Sequence, residues 1–200
     1  LYITRFSGNG LHLAPATKLW NVWINKLLIE DCSEAGILIN ATAAPAHLTF
    51  ISDLFWYNNL NNFKAVKVGV NSAFNSASIP FIMSGCQFHQ SSQHNVLLQG
   101  VKRARFVSCG FYHAASNYDG VHIEDIDGEN CYDIKFSHCF MGDLKETPTQ
   151  RYGINITGTS DYINLLDCSF EGNIMEAVNV ATGTNIHGVI RYNKGFVTEN

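Results

Sequence analysis

A short apolar-x-apolar segment recurs seven times along this 200-residue chain. Its copies are Leu11-His12-Leu13, Ile37-Leu38-Ile39, Val66-Lys67-Val68, Val96-Leu97-Leu98, Val121-His122-Ile123, Ile154-Asn155-Ile156 and Val178-Asn179-Val180. The first apolar positions lie 26, 29, 30, 25, 33 and 24 residues apart. Alternation with period two marks a strand, and most copies follow a small or turn-forming residue such as Gly10, Gly36, Gly120 or Gly153. A strand that returns at such intervals cannot bury its apolar face alone, so successive repeats must stack on one another.

A second element follows within each interval. Phe81-Ile82-Met83-Ser84-Gly85-Cys86-Gln87-Phe88 is matched by Phe106-Val107-Ser108-Cys109-Gly110-Phe111, Phe136-Ser137-His138-Cys139-Phe140 and Leu165-Leu166-Asp167-Cys168-Ser169-Phe170. Each reads as a strand, a sharp corner and a short third strand. Cys32, Leu54, Cys86, Cys109, Cys139, Cys168 and Asn193 are expected to stack at one corner, with cysteine serving as a small hydrophobe. No Cys-x-x-Cys pair points to metal or redox chemistry. Cys131, off this column in a loop, is expected to be the reactive thiol.

These features predict an all-β fold, a right-handed parallel β-helix of about seven coils, with residues 1–200 as one domain of a longer chain. Leucine-rich repeats carry one strand per repeat, and hexapeptide solenoids need a strict beat that is absent. Coils of unequal length are tolerated by a β-helix because each can extrude a loop without disturbing its neighbours. The composition agrees: 46% hydrophobic residues supply a core, and a formal charge of −4 leaves no broad basic surface for nucleic acid. No apolar run is long enough to insert in a membrane.

The repeated Gly-[Val/Ile]-x-[Val/Ile] strands and the corners Cys86-Gln87-Phe88, Cys109-Gly110-Phe111 and Cys168-Ser169-Phe170 resemble the pectate-lyase-like superfamily, and within it the phage tailspike and capsule-depolymerase branch. Asn117-Tyr118-Asp119-Gly120 is similar to the Asn-x-Asp-Gly segment of polygalacturonases, in which the aspartate is catalytic. The rest of that pattern is missing here: there is no adjacent Asp-Asp pair, no Gly-His-Gly and no Arg-Ile-Lys. The resemblance implies polysaccharide, capsule or lipopolysaccharide, as partner, an extracellular or virion location, and a homotrimer. Neither end shows a capping helix, so missing caps or neighbouring domains are expected.

Strand alternation predicts an outward column of His12, Leu38, Lys67, Leu97, His122, Asn155 and Asn179, and a second of Asn40, Gln99, Glu124 and Thr157. His122 and Glu124 therefore share a face. Glu124-Asp125-Ile126-Asp127-Gly128-Glu129 concentrates acids beside them. Glycoside cleavage needs two carboxylates, one protonated. Asp119, Glu124 and Asp127 with His122 are thus the catalytic candidates, and Gln99, Tyr118, Asn155, Arg105 and Lys135 the substrate-binding ones. Tyr112, Tyr132 and Tyr152 are further rings available for stacking on sugars. His113 and His138 are read as structural. No metal or cofactor is expected, although the same acidic loop also suits calcium.

Two functions fit. One is a tailspike-type depolymerase cleaving bacterial surface glycan, hydrolase ahead of lyase; for a lyase, Lys102, Arg103, Arg105 and Lys135 are the candidate uronate-neutralising cations, with Arg105 and Lys135 expected in register on neighbouring coils. The other is a non-catalytic adhesin or structural virion protein.

Overall fold

The computed structural model describes residues 1–14, 19–41, 46–55, 58–69, 81–181 and 190–191. The chain winds through three parallel sheets of seven strands, completing about six turns. The first sheet stacks Leu11–Leu13, Ala35–Asn40, Asn61–Val66, Val96–Gln99, Val121–Glu124, Tyr152–Ile156 and Glu176–Val180. The second stacks Leu19–Asn25, Ala46–Ile51, Phe81–Ser84, Ala104–Val107, Lys135–Ser137, Asn164–Leu166 and Ile190–Arg191. The third stacks Tyr2–Thr4, Leu28–Glu30, Leu54–Phe55, Gln87–His89, Gly110–Tyr112, Phe140–Gly142 and Ser169–Glu171. Each strand pairs with its counterpart one coil away, as the repeat predicted.

The interior is built from rows of like side chains. Phe55, Phe88 and Phe111 stack face to face at 4.7 and 5.1 Å, and Phe106 lies on Phe136 at 4.7 Å. Each such ring pair adds about 0.5–1.5 kcal/mol beyond the area it buries. Between the second and third sheets the chain turns on one left-handed residue per coil: Lys26, Ser52, Gly85, Ser108, His138 and Asp167, with φ between 51° and 65°. A single such residue bends the chain sharply enough to start a new sheet.

The residue after that corner faces inward, and here two sequence expectations are corrected. Leu27, Asp53, Cys86, Cys109, Cys139 and Cys168 occupy the column, because the third-sheet register pairs Leu28 with Leu54 and Leu54 with Gln87. Cys32 instead lies past its strand at the opposite corner, and Leu54 is one residue further on. Asn193 falls outside the described residues. Cys131 is fully buried and its Sγ accepts from Val101 N–H at 3.2 Å, while burial pushes its thiol up to about 11. It is a packed thiol rather than a reactive one.

The third coil is also in a different register. Phe63, not Val66, pairs with Ile37 and Val96, and Ala65, not Val68, pairs with Ile39 and Leu98. Lys64 therefore takes the row assigned to Lys67, and Val66 lies beside Gln99. Leu97, expected to be outward, is only 8% exposed, flanked in its row by Lys64 and His122.

Where the third sheet turns back to the first, side-chain amides replace the apolar rows. Asn59 Nδ2 donates to Asn62 Oδ1 at 2.9 Å, and Asn62 Nδ2 to Asn95 Oδ1 at 2.8 Å. Asn95 Nδ2 reaches Tyr112 O at 3.0 Å and Gln150 Oε1 at 3.5 Å, and Gln150 Nε2 donates to Asn173 Oδ1 at 2.8 Å. Asn59, Asn62, Asn95 and Gln150 are all inaccessible to solvent. Buried amides at a turn supply partners to backbone groups that no strand satisfies.

Candidate functional site

The amide-lined corner delivers three consecutive coils to the start of the first sheet, and there Asp119 is completely buried. Gly120, the next residue, lets the coils close up: a Cβ there would sit 2.8 Å from Gly153 O. Arg151, one coil away, donates Nε to Asp119 Oδ1 and Nη2 to Oδ2, both at 2.9 Å. Oδ2 also accepts from His122 Nδ1 at 2.8 Å and Asn155 Nδ2 at 3.0 Å. Asn155 is oriented in turn by Asn179, which donates to its Oδ1 at 2.8 Å.

From this hub the network runs outward. His122 Nε2 lies 3.4 Å from Glu124 Oε2, and Gln99 donates to Glu124 Oε1 at 2.6 Å. On the other side of His122 the His94 ring stacks at 4.5 Å, its Nδ1 accepting from Asp119 N–H at 3.1 Å. Tyr118 sets its ring edge-on to His94 at 5.0 Å, and Arg151 lies over Tyr152 at 5.0 Å.

Charge follows from these partners. Burial pulls the His122 imidazole down, but its bonds to Asp119 and Glu124 outweigh that and raise it to about 9. Burial also raises Asp119, yet bonds from His122, Arg151 and Asn155 hold its carboxyl below the usual range. His122 and Gln99 likewise hold Glu124 low. Burial, reinforced by the His122 charge, drops His94 to about 4, so that ring is neutral and carries its proton on Nε2. At neutral pH the site thus presents two cations, His122 and Arg151, over an ionised buried aspartate.

Of the sequence-predicted residues, Asp119, His122, Glu124, Gln99, Tyr118 and Asn155 come together here. Asp127 does not join them: it sits in the Ile126–Glu129 turn, paired with Lys67 at 2.9 Å. Arg105 and Lys135 are in register as expected but on the second sheet, with Arg105 held by Asp133 at 2.8 Å. Tyr112 lies between His89 and Phe140, and Tyr132 against Tyr162. His113 does serve a structural bond, to Asp143 at 2.6 Å. The sequence pattern did not point to Arg151 or His94. Extending the repeat alignment a few positions upstream of each strand would have put His94 beside Asp119 and Tyr118 beside Arg151.

His94, Asp119 and His122 each offer one ligand atom within 4.8 Å of the others. They do not suit a cation. Four donor contacts already fill the Asp119 lone pairs, two of them from a guanidinium, and both Nδ1 atoms are bonded to Asp119. In the acidic loop, Asp125 Oδ2 accepts from Thr159 N–H and Oγ1, and Glu129 lies 3.5 Å from Lys102.

No protein-family model and no curated protein matches the chain. Two solved structures do match in shape. The Azotobacter vinelandii mannuronan C-5 epimerase AlgE4 A-module aligns with a TM-score of 0.61 and 11% identity, covering 94% of this chain. The AlgE6 A-module from the same organism aligns at 0.57 and 9% identity over 98% of the chain. This chain has the fold of those A-modules. It spans 57% of the length of each.

Proposed function

We propose that this chain acts on a uronate-containing polysaccharide by moving the proton on the sugar carbon next to the carboxylate. The observation that carries this reading is that Asp119 and Glu124 are both held ionised while Arg151 and His122 stand over them as cations. Hydrolysis by a carboxylate pair requires one protonated member, and neither residue is poised for that role. An anionic sugar suits the site better. Arg151 Nη1 is not used by Asp119, and with the His122 imidazolium it would offset the charge that grows on a uronate carboxylate as its α-proton leaves. Glu124, ionised and adjacent, is the acceptor for that proton, and His122 the donor that returns one. Return of a proton to the opposite face of that carbon gives epimerisation, whereas loss of the substituent one carbon further on gives chain cleavage. The shared fold of the mannuronan C-5 epimerase A-modules supports the same substrate class. In the tailspike form of this reading the protein is a virion-borne trimer that depolymerises surface glycan by elimination.

The test is to incubate the protein with polymannuronate, polygalacturonate and bacterial capsules in D2O. Deuterium at the carbon beside the carboxylate, or a conjugated unsaturated product, is expected. In His122→Gln it should fall by about 10²–10⁴-fold, the usual contribution of a positioned acid or base. New reducing ends without unsaturation would restore the hydrolase, and retained glycan binding with no product would favour the adhesin.

A further inference from the structure

The segments that build the Asp119 cluster also line an open cleft of about 400 Å³ beside it. Ser92, Ser116 and Thr149 line it, and each stands two residues before a member of the cluster, His94, Tyr118 and Arg151. All the lining residues but Ala115 carry polar side chains, with Gln90, His113 and Lys145 completing those that matter here. Such a volume falls in the range of pockets that hold small ligands, but the apolar lining usual for drug-like molecules is replaced by hydroxyls and amides. Such a lining matches the hydroxyls of a sugar, which both donate and accept.

Lys145 gives the cleft its charge. Its Nζ donates to Thr149 Oγ1 at 3.1 Å, and among the described residues no carboxylate oxygen approaches it within 4.0 Å. The nearby Asp143 is committed elsewhere. Its Oδ1 meets His113 Nδ1 at 2.6 Å and Lys145 N–H at 3.1 Å, and its Oδ2 accepts from Thr149 N–H at 2.6 Å, Thr149 Oγ1 at 3.0 Å and Gln150 N–H at 3.0 Å. Asp143 is itself 1% exposed, so it acts as an internal clasp that fixes the 143–150 loop and leaves the ammonium unneutralised. A preorganised cation in a polar cleft recognises an anionic substituent carried on a hydroxyl-rich ligand.

We infer that this cleft is a second sugar subsite, in which the Lys145 ammonium binds the carboxylate of the uronate residue next to the one that reacts over His122. The inference rests on the preceding functional reading and narrows it: the substrate carries consecutive acidic residues, and the polymer leaves the first sheet across the turn that joins it to the third. Lys145 is a binding residue here and touches no reacting atom.

Titration of the ¹⁵N-labelled protein with short oligomannuronates, and with neutral maltooligosaccharides as control, decides the matter by NMR. Resonances of Lys145, Ser116 and Thr149 should move together with those of Arg151, with the acidic ligand only. Lys145→Gln should weaken oligomannuronate binding about tenfold, as expected for loss of one charge-assisted hydrogen bond, and raise KM with little change in kcat. Shifts confined to Arg151 and His122, with Lys145→Gln binding like the native protein, would overturn the subsite and leave the functional reading standing. Equal response to the neutral ligand would overturn its acidic specificity. Shifts at neither place would overturn both.

Discussion

Arg151 grips Asp119 from the adjoining coil through two hydrogen bonds of 2.9 Å, so that a fully buried carboxylate is neutralised by a guanidinium that is itself one-third exposed. The pair is a joint as well as a charge device, since it ties two coils at the point where the first sheet begins.

Truncating Arg151→Met leaves the Asp119 charge buried with only two donors. Breaking a fully buried pair costs about 3–5 kcal/mol, and with the exposed end of Arg151 already screened a loss of roughly 2 kcal/mol is expected. Urea denaturation followed by circular dichroism measures it. Asp119→Asn with Arg151→Met should lose less than the sum of the two single variants, because both remove the same pair.

Two histidines set opposing pH windows. His122 is raised from 6.5 to about 9, so its contribution to stability is complete below about pH 6.5 and fades as pH rises toward 9. His94 is lowered from 6.5 to about 4, so the folded form resists a proton that the unfolded chain accepts, and stability falls as pH drops from 6.5 toward 4. Melting temperature should therefore fall above pH 6.5, and below it should fall only by what the His94 loss leaves after the opposite gain from Asp53. His122→Gln is expected to flatten the alkaline side and His94→Gln the acidic side. Curves unchanged by either variant would rule out this assignment.

Asp53 heads the cysteine column with one oxygen accepting from Leu27 N–H at 2.8 Å and the other unpaired. Burial raises it from 3.8 to about 6, against the backbone bonds that lower it. Its stabilising protonated form is lost as pH rises through 6, so the charge weakens the fold at neutral pH. Each tenfold gain in proton affinity on folding corresponds to about 1.4 kcal/mol. Asp53→Asn keeps the acceptor, so it should stabilise by roughly 2 kcal/mol at pH 8 and hardly at all at pH 4. Urea midpoints of the two proteins at both pH values make the comparison.

All six cysteines are buried and free of disulfides. Native protein treated with a thiol reagent should release no chromophore on the timescale of mixing, and should react fully in denaturant. Rapid labelling of Cys131 in the native state would contradict its place in the core.

The architecture was legible because a solenoid repeats its own signal: seven copies of one alternation leave little choice of fold. The register of the third coil was not. Asn61 to Val68 contains two apolar alternations of opposite phase, Phe63 with Ala65 and Val66 with Val68, and local pattern cannot choose between them. Asn62 decides it by entering the amide ladder, a contact 33 residues away at Asn95. The corner column was misread at Cys32 and Leu54 because nothing in the local pattern marks Leu27 and Asp53 as its occupants. At the site, His122, Asp119 and Glu124 were found by alternation and local acid density. Arg151 was missed because it lies 32 residues from its partner and just outside the repeated motif.

The ladder from Asn59 through Asn62, Asn95 and Gln150 to Asn173 also limits how such a chain can change. It does not fix the length of the corner, which takes eight residues from Phe88 to Val96, ten from Phe111 to Val121 and thirteen from Met141 to Ile154, but it requires an amide that still reaches the next, as Asn95 reaches Gln150. Extra length is tolerable wherever it loops out between strands without breaking that contact. A longer relative of this protein would therefore grow by whole coils, and the grooved face would lengthen in fixed steps along the axis.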